Sequence, residues 1–566
     1  MKLLSIAALA CFFGLFFLMQ SCQQKKNFPS PEALSALQLK KGEIVSCGPE
    51  ETQLGKVAFA VTGPEKVNKD FNLALSFLHS FEYDEAEKIF ARIITEDPGC
   101  AMAYWGVAMS NYHPLWTVPS QAELEKGYKA IEIAKTLPQK TKKEAGYIEA
   151  IAAFYKDFAI DDHRTRTIRF EKAMEQLYKN YPADKEASIF YALALTASAD
   201  PADKSFSNQK KAGNILNALY PGEPNHPGIV HYIIHTYDYP ELASLALEAA
   251  RKYAAIAPSS AHAQHMPSHI FTRLGLWDEG ISANLAATAS AKCYAEQAGL
   301  KGHWDEELHG MDYLMYAYLQ QAANEQAMAL WKYLQSIKEV YPLNFKVAYA
   351  YAAIPSRYLL ENKSWKEASV MPLHPDNFPW QNFPWQKAII HFTRALGSVH
   401  TNNLPGARAE VAQLTALHDT LFNQKDWYKA TAVQIQLTTA RAWILFKEGK
   451  EQEALQLMNL AADLEDKTEK HPVTPGEVIP AKELLADMLL AMNKPAAALE
   501  IYKANLKRHP NRFNAVYGAA VASQRAEDKK GATNYYRQLL ALTKGTSASR
   551  PELKKAGEFL KNIKGN

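Results

Sequence analysis

Apart from one run near its start, the sequence has no long apolar stretch, no excess charge of either sign and little cysteine. Its 566 residues carry 63 Lys and Arg against 60 Asp and Glu, a net charge of +3. A nucleic-acid binder shows a basic excess, so that partner class is set aside. Five cysteines are present and none forms a CxxC pair, which argues against a thiol-redox role. No strand-type alternation of useful length follows residue 66, so a sheet-based fold finds no support. Catalytic signatures are missing as well: there is no GxSxG elbow, no GxxxxGK(S/T) phosphate loop, no GxGxxG after a strand and no HExxH. The segment HYIIH (231–235) has the two-histidine spacing of a zincin helix without the Glu that acts as its base. No reaction is therefore indicated, and the balance leans away from an enzyme.

The one apolar run is Leu3 to Leu18, behind Lys2 and ahead of Met19-Gln20-Ser21-Cys22. Its length and its small terminal residue read as a secretory signal over residues 1–21, not a membrane span. Residues 22–65 then carry Pro, Gly and polar side chains without sustained periodicity, as a tether and irregular N-terminal arm would. The cysteines left after processing, besides Cys22, are Cys47, Cys100 and Cys293. An odd set in an oxidising compartment permits one disulfide and one free thiol. A Cys47–Cys100 bridge would tie the arm to the first helical repeat.

From Val67 onward, apolar residues recur at helical spacing, and the class is all-α. One helix pair cannot bury its own apolar face, so such pairs stack into a continuous core. The segment FNLALSFLHSFEYDEAEKIFARIITEDP places Ala86, Phe90 and Pro98 as a small residue, an aromatic and a terminator. The same pattern returns at Gly275/Trp277, at Gly449/Ala454/Ala461, at Ala498/Tyr502/Pro510 and at Ala532/Tyr536. An N-terminal array over 66–345, an irregular Pro/Trp connection over 346–385 (HPDNFPWQNFPWQ) and a C-terminal array with a capping helix over 386–566 are expected.

The residues 225–320 hold eight of the seventeen histidines. His231 and His265 are 34 residues apart, and so are His235 and His269; 34 is the period of one helix–turn–helix repeat of the tetratricopeptide type. Residues at i and i+4 share a helix face, so His231/His235 and His265/His269 are two candidate clamps. Helices packed about 8–10 Å apart would let both clamps reach one ion, with Asp312 adding a carboxylate and His262 and His309 in a second tier. Imidazole suits Zn, Cu or Fe alike, and open positions on such an ion would permit chemistry. Tyr232, Tyr237, Asp238 and Glu306 are candidates to hold the outer ring nitrogens. Ligand imidazoles must be neutral, so affinity is expected to fall below about pH 6.5. Two other roles stay open: a polar groove for a peptide, and plain helix packing. Pro267 interrupts the helix that would carry both His265 and His269 and threatens their shared face.

Over roughly residues 71–559, through HSFEYDEA, DPGCAMAYWGVAMS, HPLW, NHPGIVHYIIHTYDYP and HMPSHIFTRLGLWDEG, the chain resembles the bacterial tetratricopeptide-repeat proteins, more narrowly a periplasmic or lipoprotein subgroup. That resemblance implies a right-handed superhelical solenoid in two halves, whose first helices line a concave groove for a protein or peptide partner. Carried over by position, the groove would present His79, Trp105, His113 and Tyr316, besides the clustered histidines. The serine–cysteine junction at Ser21-Cys22 resembles a bacterial lipobox, with Met19 where Leu is preferred. It implies a lipidated Cys22 and membrane attachment through lipid alone; Gln23 and Gln24, in place of a retention Asp, point to the outer membrane, facing the periplasm.

Overall fold

The computed structural model describes residues 28–49, 51–546 and 550–564. The expected signal segment 1–21 and Cys22 lie outside the described residues. Helices account for nearly all regular structure. The exception among the described residues is one parallel pair of two-residue strands, in which His303 and Trp304 face Val340 and Tyr341. The chain is an all-α helical-repeat solenoid by architecture, divided into two compact units. One takes in the residues up to 44, 58–78 and 83–194; the other takes in 45–57, 79–82 and 195 onward.

In the first unit the central helix is Ala101–Ser110 (AMAYWGVAMS), in which every residue is buried. It packs against Tyr83–Glu96, Gln121–Thr136 and Lys142–Tyr155. An apolar segment with no polar face is stable only when covered on all sides. The following helices start at side-chain caps that the sequence carries: Ser120 with Glu123 and Thr141 with Glu144 form capping boxes, satisfying amides that have no partner inside the helix.

In the second unit the hairpins follow one local rule. Asp305–Gln320 pairs with Asn324–Ser336, Phe345–Glu361 with Trp365–Ser369, and Pro384–His400 with Leu404–Asn423. Trp427–Lys447 pairs with Glu451–Lys467, Ala481–Ala491 with Pro495–Arg508, and Phe513–Arg525 with Lys529–Leu542. Each second helix starts two residues after a residue with positive φ: Ala322, Lys363, Asn402, Gly449, Asn493 and Glu527. A left-handed residue ends the first helix and turns the chain back. Three of these six are Gly or Asn, the residues that favour this conformation (Asn402, Gly449 and Asn493), and the turn recurs at Ala322, Lys363 and Glu527 without them.

The first helices of successive hairpins touch in order, and the last of them, Phe513–Arg525, also packs on the first, Asp305–Gln320. The array in this unit therefore curls back on itself. Its inner wall is filled by a polar cluster around Arg512, which is fully buried. Arg512 donates from Nε to Glu483 Oε2 at 2.8 Å, from a terminal nitrogen to Glu361 Oε1 at 2.5 Å and from the other to the Tyr316 hydroxyl at 3.0 Å. Asn514 Nδ2 donates to Glu361 Oε2 at 2.7 Å, and the Phe513 amide donates to Gln320 Oε1 at 2.9 Å.

Two expectations are corrected here. The stretch 346–385, read as an irregular connection, runs helical over Phe345–Glu361 and Trp365–Ser369; only the Pro- and Trp-rich part beyond is irregular, and it lies inside one unit. The Tyr- and Ala-rich helix packs into that unit's core, so burial outweighs the proline at 355. Nor does Cys47 pair with Cys100. Cys47 is bonded to Cys293, with Cα atoms 6.0 Å apart, across a sequence separation of 246. Cys100 is free and buried, and burial pushes its thiol up to about 11.

Candidate metal centre

Five helices of the second unit build the histidine site: α1 (Pro227–Thr236), α2 (Ala261–His265), α3 (Pro267–Leu274), α4 (Trp277–Gln297) and α5 (Asp305–Gln320). Pro227 opens α1 at its first position, where the missing N–H costs nothing. Gly228 is required there, because a Cβ would stand 2.5 Å from Nδ1 of His79. Ser260 caps α2, its hydroxyl accepting from the Ala263 amide at 3.1 Å while donating to Glu82 at 2.7 Å. Gly275 ends α3 at φ +66°, and a Cβ would lie 2.4 Å from the carbonyl oxygen of Pro510.

Pro267 does not split the histidine face. Met266, between α2 and α3, keeps right-handed helical angles (φ −53°, ψ −36°), and its amide still bonds the His262 carbonyl at 2.9 Å. The proline takes the first position of α3, where it has no bond to lose. His265 and His269 consequently meet, their Nε2 atoms 3.1 Å apart.

The imidazoles gather as two triads. In one, Nε2 of His231 lies 3.0 Å from Nε2 of His235 and 3.2 Å from Nε2 of His262. In the other, His309 joins His265 and His269; its ring centroid is 4.2 Å from that of His265. Within each triad the donor atoms all lie within 4.8 Å of one another. Two nitrogens sharing an ion at about 2.0–2.1 Å in a tetrahedral arrangement stand roughly 3.3–3.4 Å apart, close to these spacings. The expectation of one ion held by His231, His235, His265 and His269 is thus revised. The two i,i+4 pairs fall in different groups, and His262 and His309, from the second tier, complete them.

The outer ring nitrogens of His231, His265 and His269 are engaged. Nδ1 of His231 faces the His79 carbonyl at 2.6 Å. Nδ1 of His265 faces Asn284 Oδ1 at 2.7 Å. The Asn284 amide nitrogen donates to the Gly280 carbonyl at 2.8 Å, which orients its oxygen toward the histidine. Nδ1 of His269 faces Asp238 Oδ2 at 3.0 Å. Asp238 also accepts from Arg273 Nε at 2.8 Å and from Lys470 Nζ at 3.1 Å. Burial alone would raise the Asp238 carboxyl, but Lys470 and Arg273 hold it well below its usual range. Burial lowers His231 to about 3 and keeps His235, His262, His265 and His309 well below 6.5; His269 is also lowered by burial, against the pull of Asp238.

The consequence is clearest at His265 and His269. Both Nδ1–H groups donate to fixed acceptors, so both Nε2 atoms carry lone pairs, and these point at each other 3.1 Å apart. Protonating either ring is opposed by burial. The Tyr313 hydroxyl, 3.2 Å from His269 Nε2, can donate to only one of the two. A shared cation satisfies both, and outer-shell acceptors of this kind are how metal-ligating histidines are oriented.

Other expected site residues lie elsewhere. Asp312 does not join the imidazoles. It sits three residues from His309 and turns instead toward Arg357, whose Nε is 3.5 Å from Oδ1; burial raises its carboxyl to about 6. The groove residues are not on an open wall. Trp105 is buried against Phe71, Tyr147 and Phe190, and His79 is buried with its Nδ1 2.9 Å from the Tyr232 hydroxyl. Tyr316 is buried under Arg512, and His113 pairs with Glu123 at 2.9 Å. For Trp105, His79 and Tyr316 the inward helix face meets another layer of side chains, whereas His113 lies half-buried in the loop beyond Ala101–Ser110.

Of the suggested outer-shell partners, Asp238 holds His269. Tyr232 bonds His79, Tyr237 lies near Asn217, and Glu306 pairs with Lys346. Sequence reasoning missed Asn284, Arg273, Tyr313 and Lys470. Arg273 and Tyr313 stand four residues after His269 and His309, a spacing that marks them as neighbours on the same faces. Lys470 carries no such signal, being 232 residues from Asp238.

No family model matches the chain, and no curated protein matches it. Among solved structures, 108 chains match. The P58(IPK) TPR domain is 11% identical, covering 88% of this chain and 100% of its own, with a TM-score of 0.20. Naa15/Naa10 bound to HypK-THB is 11% identical over 88% of this chain and 92% of its own, at 0.24. Yeast Tom70 is 12% identical over 88% and 96%, at 0.27. At these scores the likenesses add nothing to the fold read from the helices themselves.

Proposed function

We propose that this protein binds transition-metal ions in the histidine triads of its second unit. The observation that carries the proposal is the pair of Nε2 lone pairs of His265 and His269, facing each other at 3.1 Å while both Nδ1 atoms are occupied. Neutral imidazoles so arranged suit Zn, Cu or Fe. Elemental analysis of the purified full chain tests it. Bound metal in stoichiometric amount, lost from the His265→Ala/His269→Ala variant, is expected. A folded chain that takes up none of these metals from solution would refute the assignment.

A second reading makes the helical repeats a docking scaffold for a protein or peptide, held at the outer membrane by lipid on Cys22. Stacked repeats offer extended binding surfaces. Phe422 and Trp427 are 52% and 56% exposed, edge to face at 5.0 Å, where Leu404–Asn423 gives way to Trp427–Lys447. The Cys47–Cys293 bond supports an exported, oxidising location. Mass spectrometry of the mature N-terminus should find acylated cysteine. A photo-crosslinker at position 427 that captures nothing in intact cells would remove the docking surface.

A further inference from the structure

We infer that the two triads form a dinuclear centre for monovalent copper, one Cu(I) in each. The inference deepens the metal-binding proposal and rests on it. The triads are neighbours: the His235 and His269 ring centroids, one from each, are 6.3 Å apart. They share no residue, and each consists of histidine alone, so every donor is neutral.

The surroundings supply little negative charge. The carboxylate bonded to the site is Asp238, behind His269, and it already faces both Arg273 and Lys470. Two cations thus stand against one anion. Of the other carboxylates near these helices, Asp312 is set against Arg357, and Glu82 accepts from the Ser260 hydroxyl. Among the described residues, no carboxylate is grouped with the donor atoms of either triad. The cost of burying an ion grows with the square of its charge, and so does repulsion between two equal ions. A pair of dications therefore suffers roughly four times the penalty of a pair of monocations at the same places.

Coordination number points the same way. Structural Zn(II) is almost always four-coordinate, whereas each triad offers three nitrogens. Aromatic rings pack against both triads. Phe81 lies 4.4 Å from the His231 ring and 5.5 Å from that of His235, and Tyr253 stacks on His231 at 5.0 Å. Tyr313 meets His265 edge-on at 4.7 Å. A cation content with three neutral imidazoles and no water fits this enclosure, and Cu(I) is that cation among the metals imidazole accepts.

The test is an anaerobic titration of metal-free full chain with Cu(I) in competition with the chromophoric chelator bicinchoninate, and in parallel with Zn(II). Two Cu(I) withdrawn per chain are expected, with Cu(I) preferred over Zn(II) by at least about ten-fold. His235→Ala and His309→Ala should each leave one site, and X-ray absorption should show three nitrogen neighbours per copper. Wild-type stoichiometry decides the matter should either variant misfold. One ion per chain, or two Zn(II) held more tightly than Cu(I), overturns the dinuclear copper centre and leaves metal binding standing. No uptake of either metal overturns both.

Discussion

Two buried polar clusters in the second unit invite comparison, the one around Arg512 and the one around His265 and His269. Both are sealed from solvent, both draw residues from distant parts of the chain, and both would be conspicuous by burial alone. They differ in how they are satisfied. Arg512 spends its donors on Glu361, Glu483 and Tyr316, with Asn514 and Gln320 completing the set; charge and hydrogen bonds close within the protein. In the histidine cluster His231, His265 and His269 are held on their outer edge by the His79 carbonyl, Asn284 and Asp238, and the Nε2 lone pairs of His265 and His269 face each other. A buried cluster that satisfies itself is a structural joint; two neutral imidazoles whose lone pairs face each other are a place for a shared cation.

The largest effect should come from opening the closed cluster. Arg512→Met leaves two buried carboxylates without their cation and should lower stability by about 3–5 kcal/mol, read by urea unfolding. An unchanged midpoint would show that the clusters are not different in kind. Reduction of the Cys47–Cys293 bond, or its replacement by alanines, should cost about 2–4 kcal/mol, because it ties a lead-in segment to α4 across a long loop; Cys100→Ala should not reproduce that loss in a redox-dependent way. Filling the open cluster should stabilise the fold. At a free metal concentration of 100 times Kd the gain is about 2.7 kcal/mol, seen as a rise in Tm that His265→Ala/His269→Ala abolishes. A rise of equal size in that variant would place the metal elsewhere.

The smallest effect concerns an imidazole outside both clusters. His400 stacks on Trp365 at 4.0 Å and lies 4.7 Å from Trp443, with Nε2 lacking a hydrogen-bond partner. Burial lowers it to about 4, so the unfolded chain takes up this proton more readily than the folded one. Its contribution is complete above about pH 6.5 and is lost as pH falls toward 4, by roughly 2 kcal/mol at pH 5. His400→Phe should remove that part of the acid sensitivity; an identical pH–stability profile would mean the ring titrates freely.

Much of the fold was legible. The 3.6-residue pattern and the turn at Gly275 are local signals, and the structure follows them. The two i,i+4 histidine pairs were legible for the same reason. Which imidazole completes each pair was not, because His262 and His309 reach their partners through packing between helices. Asp312 was read as a ligand from its place in the repeat, but on α5 it faces Arg357 instead. The groove residues failed likewise: Tyr316 is inward-facing as expected, yet the array in its unit curls back and Arg512 covers it.

By itself the amino-acid order determined what depends on neighbours three or four residues away: the helices, their turns, and the pairing of His231 with His235 and of His265 with His269. Only the tertiary structure decided the disulfide partner of Cys47, the division into two triads, and the meeting of Asp238 with Lys470. Those contacts join residues separated by tens to hundreds of positions, and a linear pattern carries no measure of which distant surfaces pack together.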